Sequence, residues 1–171
     1  MTKKIVLTGG PGTGKSSIIL ALESQGEYTI REVAEDYIKL RQAQGQQEPW
    51  VESDFQTRIL ELQMQREARI PREAERVFID RGLADGIAYS QLGTEVYNQI
   101  LETAKATKYD RVYLVENLGF TDTNGVRREA QQEAVELGNK LEQEYRNLGY
   151  NPIRIPVMPV NERAKFVLEN I

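Results

Sequence analysis

The stretch Gly9-Gly10-Pro11-Gly12-Thr13-Gly14-Lys15-Ser16 fits the phosphate-binding loop pattern G-x-x-x-x-G-K-[ST] at every fixed position. It lies between an apolar run, Ile5-Val6-Leu7, and a helical stretch at 17–22. Glycines let successive backbone N–H groups point at one phosphate, and the following helix adds the positive end of its dipole. The sequence therefore predicts a binding site for a nucleoside triphosphate, ATP or another. The residues expected to hold it are Gly10, Pro11, Gly12, Thr13, Gly14, Lys15, Ser16 and Ser17.

Phosphoryl chemistry at such a loop needs a cation and a carboxylate beside the phosphates. We expect Lys15 to neutralise the β- and γ-phosphates and Ser16 to ligate Mg²⁺. Asp80 ends the apolar run Arg76–Asp80, so we predict it as a metal ligand and catalytic residue. The alternative is an aspartate that caps the next helix. Glu116 ends a competing run, but its strand is expected on the other side of the loop strand.

Composition limits the class of protein. The 171 residues, 40% of them hydrophobic, suffice for one buried core, so we expect a single domain over residues 1–171. The net charge of −4 is spread along the chain and argues against a nucleic-acid surface. Cysteine and histidine are absent, which excludes disulfides, thiol catalysis and histidine acid–base chemistry. With no apolar run of membrane-spanning length, we expect a cytoplasmic monomer or homodimer that does not bind membranes.

Strand and helix signals alternate along the chain. This alternation predicts an α/β fold of three layers, with a parallel sheet between helices on both faces. Short runs rich in β-branched residues predict five strands, at Lys4–Thr8, Tyr28–Val33, Arg76–Asp80, Arg111–Glu116 and Pro152–Val157.

Helix signals are clearest in two places. Ser53-Asp54-Phe55-Gln56 predicts a capping box that opens a helix to about Ile70, and Pro71 is expected to start another short helix. The segment Arg128–Leu148 carries one apolar stripe and is followed by Gly149, a typical C-terminal cap. Two irregular stretches, 44–52 and 117–126, are long enough to be functional loops.

Charged residues follow the second and third predicted strands. The C-terminal ends of parallel strands line the crevice in which α/β sheets bind ligands, and a carboxylate there can accept the proton of a substrate hydroxyl. We therefore predict a substrate site formed by Glu32, Glu35, Arg81 and Asp85. The alternative for each acid is a favourable position at a helix start.

Two arginines, Arg127 and Arg128, lie in a polar segment before the long helix. We predict that 121–128 forms a closing lid and that these arginines bring positive charge to the transferred phosphoryl group. The alternative is a solvated helix start.

The chain resembles a small AAA-named P-loop family that includes the ribosylnicotinamide kinase domain of bacterial NAD regulators. The resemblance covers nearly the whole chain and is carried by Thr8–Ser16, Arg31–Ile38, Phe78–Gly82 with Asp85 and Tyr89, Gly149-Tyr150 and Asn161-Glu162-Arg163. It implies a kinase-type sheet with strand order 2-3-1-4-5, Lys15 and Ser16 on the phosphates and Mg²⁺, and Asp80 at the reaction centre.

These observations lead to one functional prediction and one alternative. The prediction is an ATP- and Mg²⁺-dependent phosphotransferase that acts on the hydroxyl of a small nucleoside- or metabolite-like acceptor. The alternative is a regulatory switch that binds and hydrolyses the nucleotide without an acceptor. The runs at 107–110 and 139–142 resemble the guanine-reading signature of GTPases, but neither follows a predicted strand.

Overall fold

The computed structural model describes residues 2–119 and 125–171, with side chains for 2–119 and 132–171. Five strands form one parallel sheet. In chain order they are β1 (Lys3–Thr8), β2 (Tyr28–Ile30), β3 (Arg76–Asp80), β4 (Arg111–Val115) and β5 (Ile153–Ile155). The spatial order is β2-β3-β1-β4-β5, so the predicted α/β class and kinase-type strand order are confirmed.

The register brings the ends of the two central strands together. Leu7 of β1 pairs with Asp80 of β3, and on the other side of β1 it pairs with Tyr113 of β4. The carboxyl end of β3 therefore lies directly beside the point where β1 enters the glycine-rich loop. The prediction that β4 lies on the opposite side of the loop strand from β3 is also confirmed.

Seven α-helices connect or follow the strands in the described part of the chain, with two helices in each of the β2–β3 and β3–β4 connections. They are α1 (Lys15–Ser24), α2 (Val33–Ala43), α3 (Phe55–Ala68), α4 (Asp85–Tyr89), α5 (Glu95–Ala106), α6 (Gly125–Asn147) and α7 (Val160–Glu169). Within the irregular stretch at 44–52, Pro49–Val51 forms a single 3₁₀ turn.

Alternating strand residues face two separate cores because successive side chains of a strand point to opposite faces. Val6, Val77, Ile79 and Val112 pack against α3, α4, α5 and α6 on one face. The intervening residues Ile5, Leu7, Phe78 and Tyr113 pack against α1 and α7 on the other face. Helices therefore cover both faces, as predicted.

Several predicted boundaries are wrong. The capping box at Ser53 does not form: α3 begins at Phe55, and the Asp54 carboxylate pairs with Arg58 at 3.1 Å instead of capping the helix. Pro71 starts only a turn, closed by the N–H of Ala74 at 3.2 Å from the Pro71 carbonyl oxygen. The second strand ends at Ile30, and Val33 already belongs to α2.

The long helix α6 also differs from the prediction at its start. Its backbone begins at Gly125, so Arg127 and Arg128 lie in its first turns and not in the loop before it. The predicted apolar stripe is confirmed where side chains are described, since Ala134, Leu141 and Tyr145 are buried. Across the described residues, every helix is too short or too polar to cross a membrane.

Candidate active site

The glycine-rich loop joins β1 to α1 at the carboxyl edge of the sheet. Gly14 has φ of 85°, a left-handed conformation that side-chain-bearing residues rarely adopt, and α1 begins at the next residue. A Cβ atom on Gly10 would lie 2.3 Å from the Ala134 carbonyl oxygen of α6, so only glycine permits this contact. One side of the loop thus lies against α6, while Pro11, Gly12, Ser16 and Ser17 remain exposed.

Lys15 folds back into the loop. Its Nζ donates to the carbonyl oxygens of Gly9 at 3.0 Å and Gly10 at 2.9 Å, and it lies 3.4 Å from Thr13 Oγ1. The residue is only 5% exposed. The pKa of Lys15 is lowered from 10.5 to about 8, mainly by burial and also by the Arg81 guanidinium, while nearby carboxylates act in the opposite direction. The ammonium group is therefore a buried cation at the centre of the loop.

Ser16 and Asp80 are in direct contact, as the register of β1 and β3 implies. Ser16 Oγ donates to Asp80 Oδ2 at 2.8 Å. The second carboxylate oxygen, Oδ1, is buried and has no hydrogen-bond partner among the described residues. Burial raises the pKa of Asp80 from 3.8 to about 6, although Lys15 and the Ser16 hydroxyl act in the opposite direction. An unpaired buried carboxylate oxygen beside a serine hydroxyl is a suitable donor set for Mg²⁺.

A second charged group follows Asp80 directly. Arg81 adopts φ of 67°, the single left-handed non-glycine residue in the described part of the chain, and its backbone N–H donates to the Leu7 carbonyl oxygen at 3.0 Å. Its guanidinium contacts Glu32 Oε1 at 3.1 Å and Asp85 Oδ1 at 3.2 Å. The guanidinium carbon lies 5.3 Å from the centre of the Tyr89 ring. Four contacts therefore fix one largely covered arginine beside the loop.

This charged group forms one wall of a cavity of about 250 Å³ between α2, α3 and α4. The remaining walls are mainly apolar and include Val33, Ile38, Phe55, Ile59, Leu60 and Leu83. Trp50, the single tryptophan of the chain, also lines the cavity and is 49% exposed. A concave apolar cavity with a few charged groups at one end is the usual form of a small-molecule site.

The predicted site residues occupy different positions relative to this cavity. Glu32, Arg81 and Asp85 line it, while Lys15, Ser16 and Asp80 lie at the adjoining loop. Glu35 lies apart from it: its side chain is exposed and pairs with Lys39 at 2.5 Å. The side chains of Arg127 and Arg128, and residues 121–124 of the predicted lid, lie outside the described residues.

Sequence reasoning assigned no site role to Thr8, Tyr145 or Arg163. Thr8 Oγ1 and the Tyr145 hydroxyl donate to Asp85 at 2.7 and 2.6 Å. Arg163 of α7 is 2% exposed and donates through Nη1 to the Thr13 carbonyl oxygen at 2.7 Å. This hydrogen bond links α7 to the phosphate-binding loop. Thr8 and Arg163 do stand in the motifs that carry the family resemblance, and Arg163 is also a charged residue beside the apolar positions Ala164 and Val167 of α7.

Together, the fold and the loop geometry define a P-loop nucleotide-binding domain with a kinase-type sheet. A family model described as an AAA domain matches residues 4–163, and the chain belongs to this family. No curated protein sequence matches the chain significantly.

Solved structures with the same fold include the NadR protein in complex with NR, with a TM-score of 0.72 and 18% identity over 98% of this chain. This chain spans 51% of that NadR chain, about half its length. Deoxyadenosine kinase from M. mycoides has a TM-score of 0.60 and 15% identity, with 97% of each chain covered. Shikimate kinase from Acinetobacter baumannii has a TM-score of 0.60 and 16% identity over 99% of this chain and 92% of that one. At these identities the likeness shows the fold.

Proposed function

We propose that this protein is a phosphotransferase that moves the γ-phosphoryl group of ATP, with Mg²⁺, to a hydroxyl of a small molecule bound in the cavity. The observation that carries the proposal is the cavity itself. Its charged wall includes Arg81, the residue directly after Asp80, and lies beside the phosphate-binding loop. A protein that only binds and hydrolyses a nucleotide has no need of a second enclosed site there. The likeness to NadR, deoxyadenosine kinase and shikimate kinase also supports a kinase.

On the nucleotide side, the backbone N–H groups of the loop and the start of α1 would bind the phosphates. Lys15 would exchange its bonds to the Gly9 and Gly10 carbonyl oxygens for bonds to phosphate oxygens, because a buried ammonium gains more from an anion than from neutral carbonyls.

Ser16 and Asp80 would hold Mg²⁺, and the unpartnered Oδ1 of Asp80 supports this assignment. The ion, when bound, would neutralise negative charge on the phosphates. Neutralising that charge lowers the repulsion between the nucleotide and the Asp80 carboxylate.

On the acceptor side, Glu32 would accept the proton of the attacking hydroxyl, and Arg81 would stabilise charge on the transferred group. Both groups lie close enough to the loop to influence the pKa of Lys15. The apolar walls suit an acceptor with a ring or another apolar part, as in a nucleoside. Asp85 would act through Arg81. Arg127 and Arg128 remain predicted lid residues, and Glu35 is the least supported of the substrate-site predictions.

The test is a screen of nucleosides, sugars and vitamins for acceptor-dependent ADP release, with quenching of Trp50 fluorescence as a separate measure of binding. Because Trp50 is the single tryptophan and lines the cavity, an acceptor that binds there should change its emission. We expect an acceptor that does both. If none accelerates ADP release while ATP and ADP alone change hydrogen exchange in 44–52, the regulatory-switch alternative replaces the proposal.

Replacing Glu32 by glutamine tests the acceptor side. We expect Glu32→Gln to lower acceptor-dependent kcat by about 10²-fold or more, because the amide cannot take the hydroxyl proton. ATP affinity should stay within about twofold, because the loop contacts are unchanged. Glu61→Gln is the matched control and should behave as wild type, because the exposed Glu61 pairs with Arg58 at 3.0 Å on α3 and does not line the cavity. Equal losses in both variants would contradict the role of Glu32.

A further inference from the structure

The Asp85 carboxylate joins three parts of the site. Its Oδ1 accepts from Thr8 Oγ1 at 2.7 Å and from Arg81 Nη1 at 3.2 Å. Its Oδ2 accepts from the Gly82 backbone N–H at 3.1 Å and from the Tyr145 hydroxyl at 2.6 Å. A carboxylate has about four acceptor positions, so these four bonds use its capacity. Asp85 is therefore an anchor for its neighbours and has no bond left for a ligand.

Tyr145 connects this anchor to α6. The tyrosine is fully buried, and burial, with the Asp85 charge beside it, raises the pKa of its hydroxyl well above 10. The hydroxyl therefore keeps its proton and donates to the carboxylate at neutral pH. Near its middle, α6 contacts the loop where the Ala134 carbonyl oxygen approaches Gly10. The same helix thus touches both the phosphate-binding loop and the anchor of the acceptor cavity.

Arg81 depends on that anchor more than an ordinary surface arginine would. Its left-handed backbone is an unfavourable conformation for a residue with a side chain and persists where surrounding contacts enforce it. Asp85 and Glu32 are the two carboxylates that hold its guanidinium. If Asp85 loses its fixed position, the arginine keeps Glu32 as its remaining strong partner. The side chain proposed to take the acceptor proton is then less free to do so.

We infer that Tyr145 is a positioning residue of the acceptor site. It holds Asp85, and through Asp85 it holds Arg81, in a fixed position relative to the phosphate-binding loop. The inference rests on the proposed function and extends it to a residue of α6 that does not line the acceptor cavity. The bond ties the helix that follows the predicted lid to the acceptor cavity, so movement of that helix would move Arg81.

The test compares Tyr145→Phe with Tyr113→Phe. The control tyrosine is equally buried, but its hydroxyl donates to the Val167 and Asn170 carbonyl oxygens on the other face of the sheet. We expect Tyr145→Phe to lower acceptor-dependent kcat about tenfold and to raise the acceptor KM, with the ATP KM unchanged. Tyr113→Phe should leave kcat and both KM values unchanged, whatever its effect on thermal stability.

A second measurement does not depend on activity. Phenylglyoxal labelling of Arg81, followed by peptide mass spectrometry, reports how firmly the guanidinium is held. Labelling should be several-fold faster in Tyr145→Phe than in wild type or Tyr113→Phe. If Tyr145→Phe does not fold, Thr8→Val removes the bond to the other oxygen of Asp85 and should release Arg81 in the same way. Unchanged Arg81 labelling in the folded variant overturns the inference, whereas wild-type protein without acceptor-dependent turnover overturns the proposed function alone.

Discussion

Replacing Lys15 by methionine should strongly weaken nucleotide binding and abolish turnover while leaving the protein folded. The ammonium is the cation at the centre of the loop, and methionine keeps most of its volume without the charge. Loss of charged hydrogen bonds to phosphate should weaken ATP binding by about a hundredfold or more, the equivalent of about 3 kcal/mol. Calorimetric titration with ATP and a turnover assay measure the two effects.

Lys15→Met should also affect the stability of the folded protein, in two opposing ways. The pKa of Lys15 is lowered from 10.5 to about 8, mainly by burial. At pH values below about 8 the buried charge therefore lowers the free energy of unfolding by about 3 kcal/mol. In the wild type this cost should fall as the pH rises from about 8 through 10.5. Methionine removes the cost but leaves the Gly9 and Gly10 carbonyl oxygens without their donor. The two effects oppose each other, so Tm near neutral pH should change little.

Lys165→Met is the control for this experiment. Lys165 lies on α7, and its exposed side chain pairs at 3.6 Å with Glu169. This variant should bind ATP as wild type does. A folded Lys15→Met protein with wild-type ATP affinity would show that the loop does not bind phosphate through its lysine.

The sheet could be predicted because its residues carry local signals. Each strand is a short apolar run, and the alternation of strands with helices permits few arrangements other than a covered parallel sheet. The strand order came from the resemblance of whole motifs to a family. Element ends were less predictable: β2 reads as continuous to Val33 in the sequence, yet it ends at Ile30 because the chain turns there into α2.

That misplaced boundary also explains why the substrate-site prediction could not separate Glu32 from Glu35. With the strand read to Val33, Glu32 lies near its end and Glu35 just beyond it, so both acids were expected at the same edge of the sheet. In the structure Glu32 immediately precedes α2 and reaches Arg81, whereas Glu35 lies in the first turn of the helix and faces solvent. The roles of Thr8, Tyr145 and Arg163 could not be predicted, because they arise from contacts across 77, 60 and 150 residues of chain.

Replacing Asp80 by asparagine should lower turnover by about a thousandfold, about 4 kcal/mol in barrier height, with little change in triphosphate affinity. Asparagine keeps the shape of the side chain and the contact with Ser16 but removes the negative charge expected to hold Mg²⁺. In the wild type, kcat/KM for MgATP should fall as the pH drops below about 6, because the raised pKa of Asp80 leaves its carboxyl protonated there. Pre-steady-state turnover and nucleotide titration across this range measure both effects.

The same substitution should stabilise the nucleotide-free protein at neutral pH. A carboxyl whose folded pKa is raised from 3.8 to about 6 favours folding while it is protonated, and this advantage is lost as the pH rises through about 6. At neutral pH the ionised Asp80 therefore costs about 3 kcal/mol, which asparagine avoids. Asp80→Asn should have the higher Tm near pH 7, and the difference should vanish towards about pH 4. Asp110→Asn is the control, since the exposed carboxylate of Asp110 accepts from the Lys4 backbone N–H at 2.8 Å. If the Tm difference for Asp80→Asn is the same at both pH values, the Asp80 charge is not buried. If the loss of turnover is matched by an equal loss of ATP affinity, Asp80 does not belong to the proposed metal site.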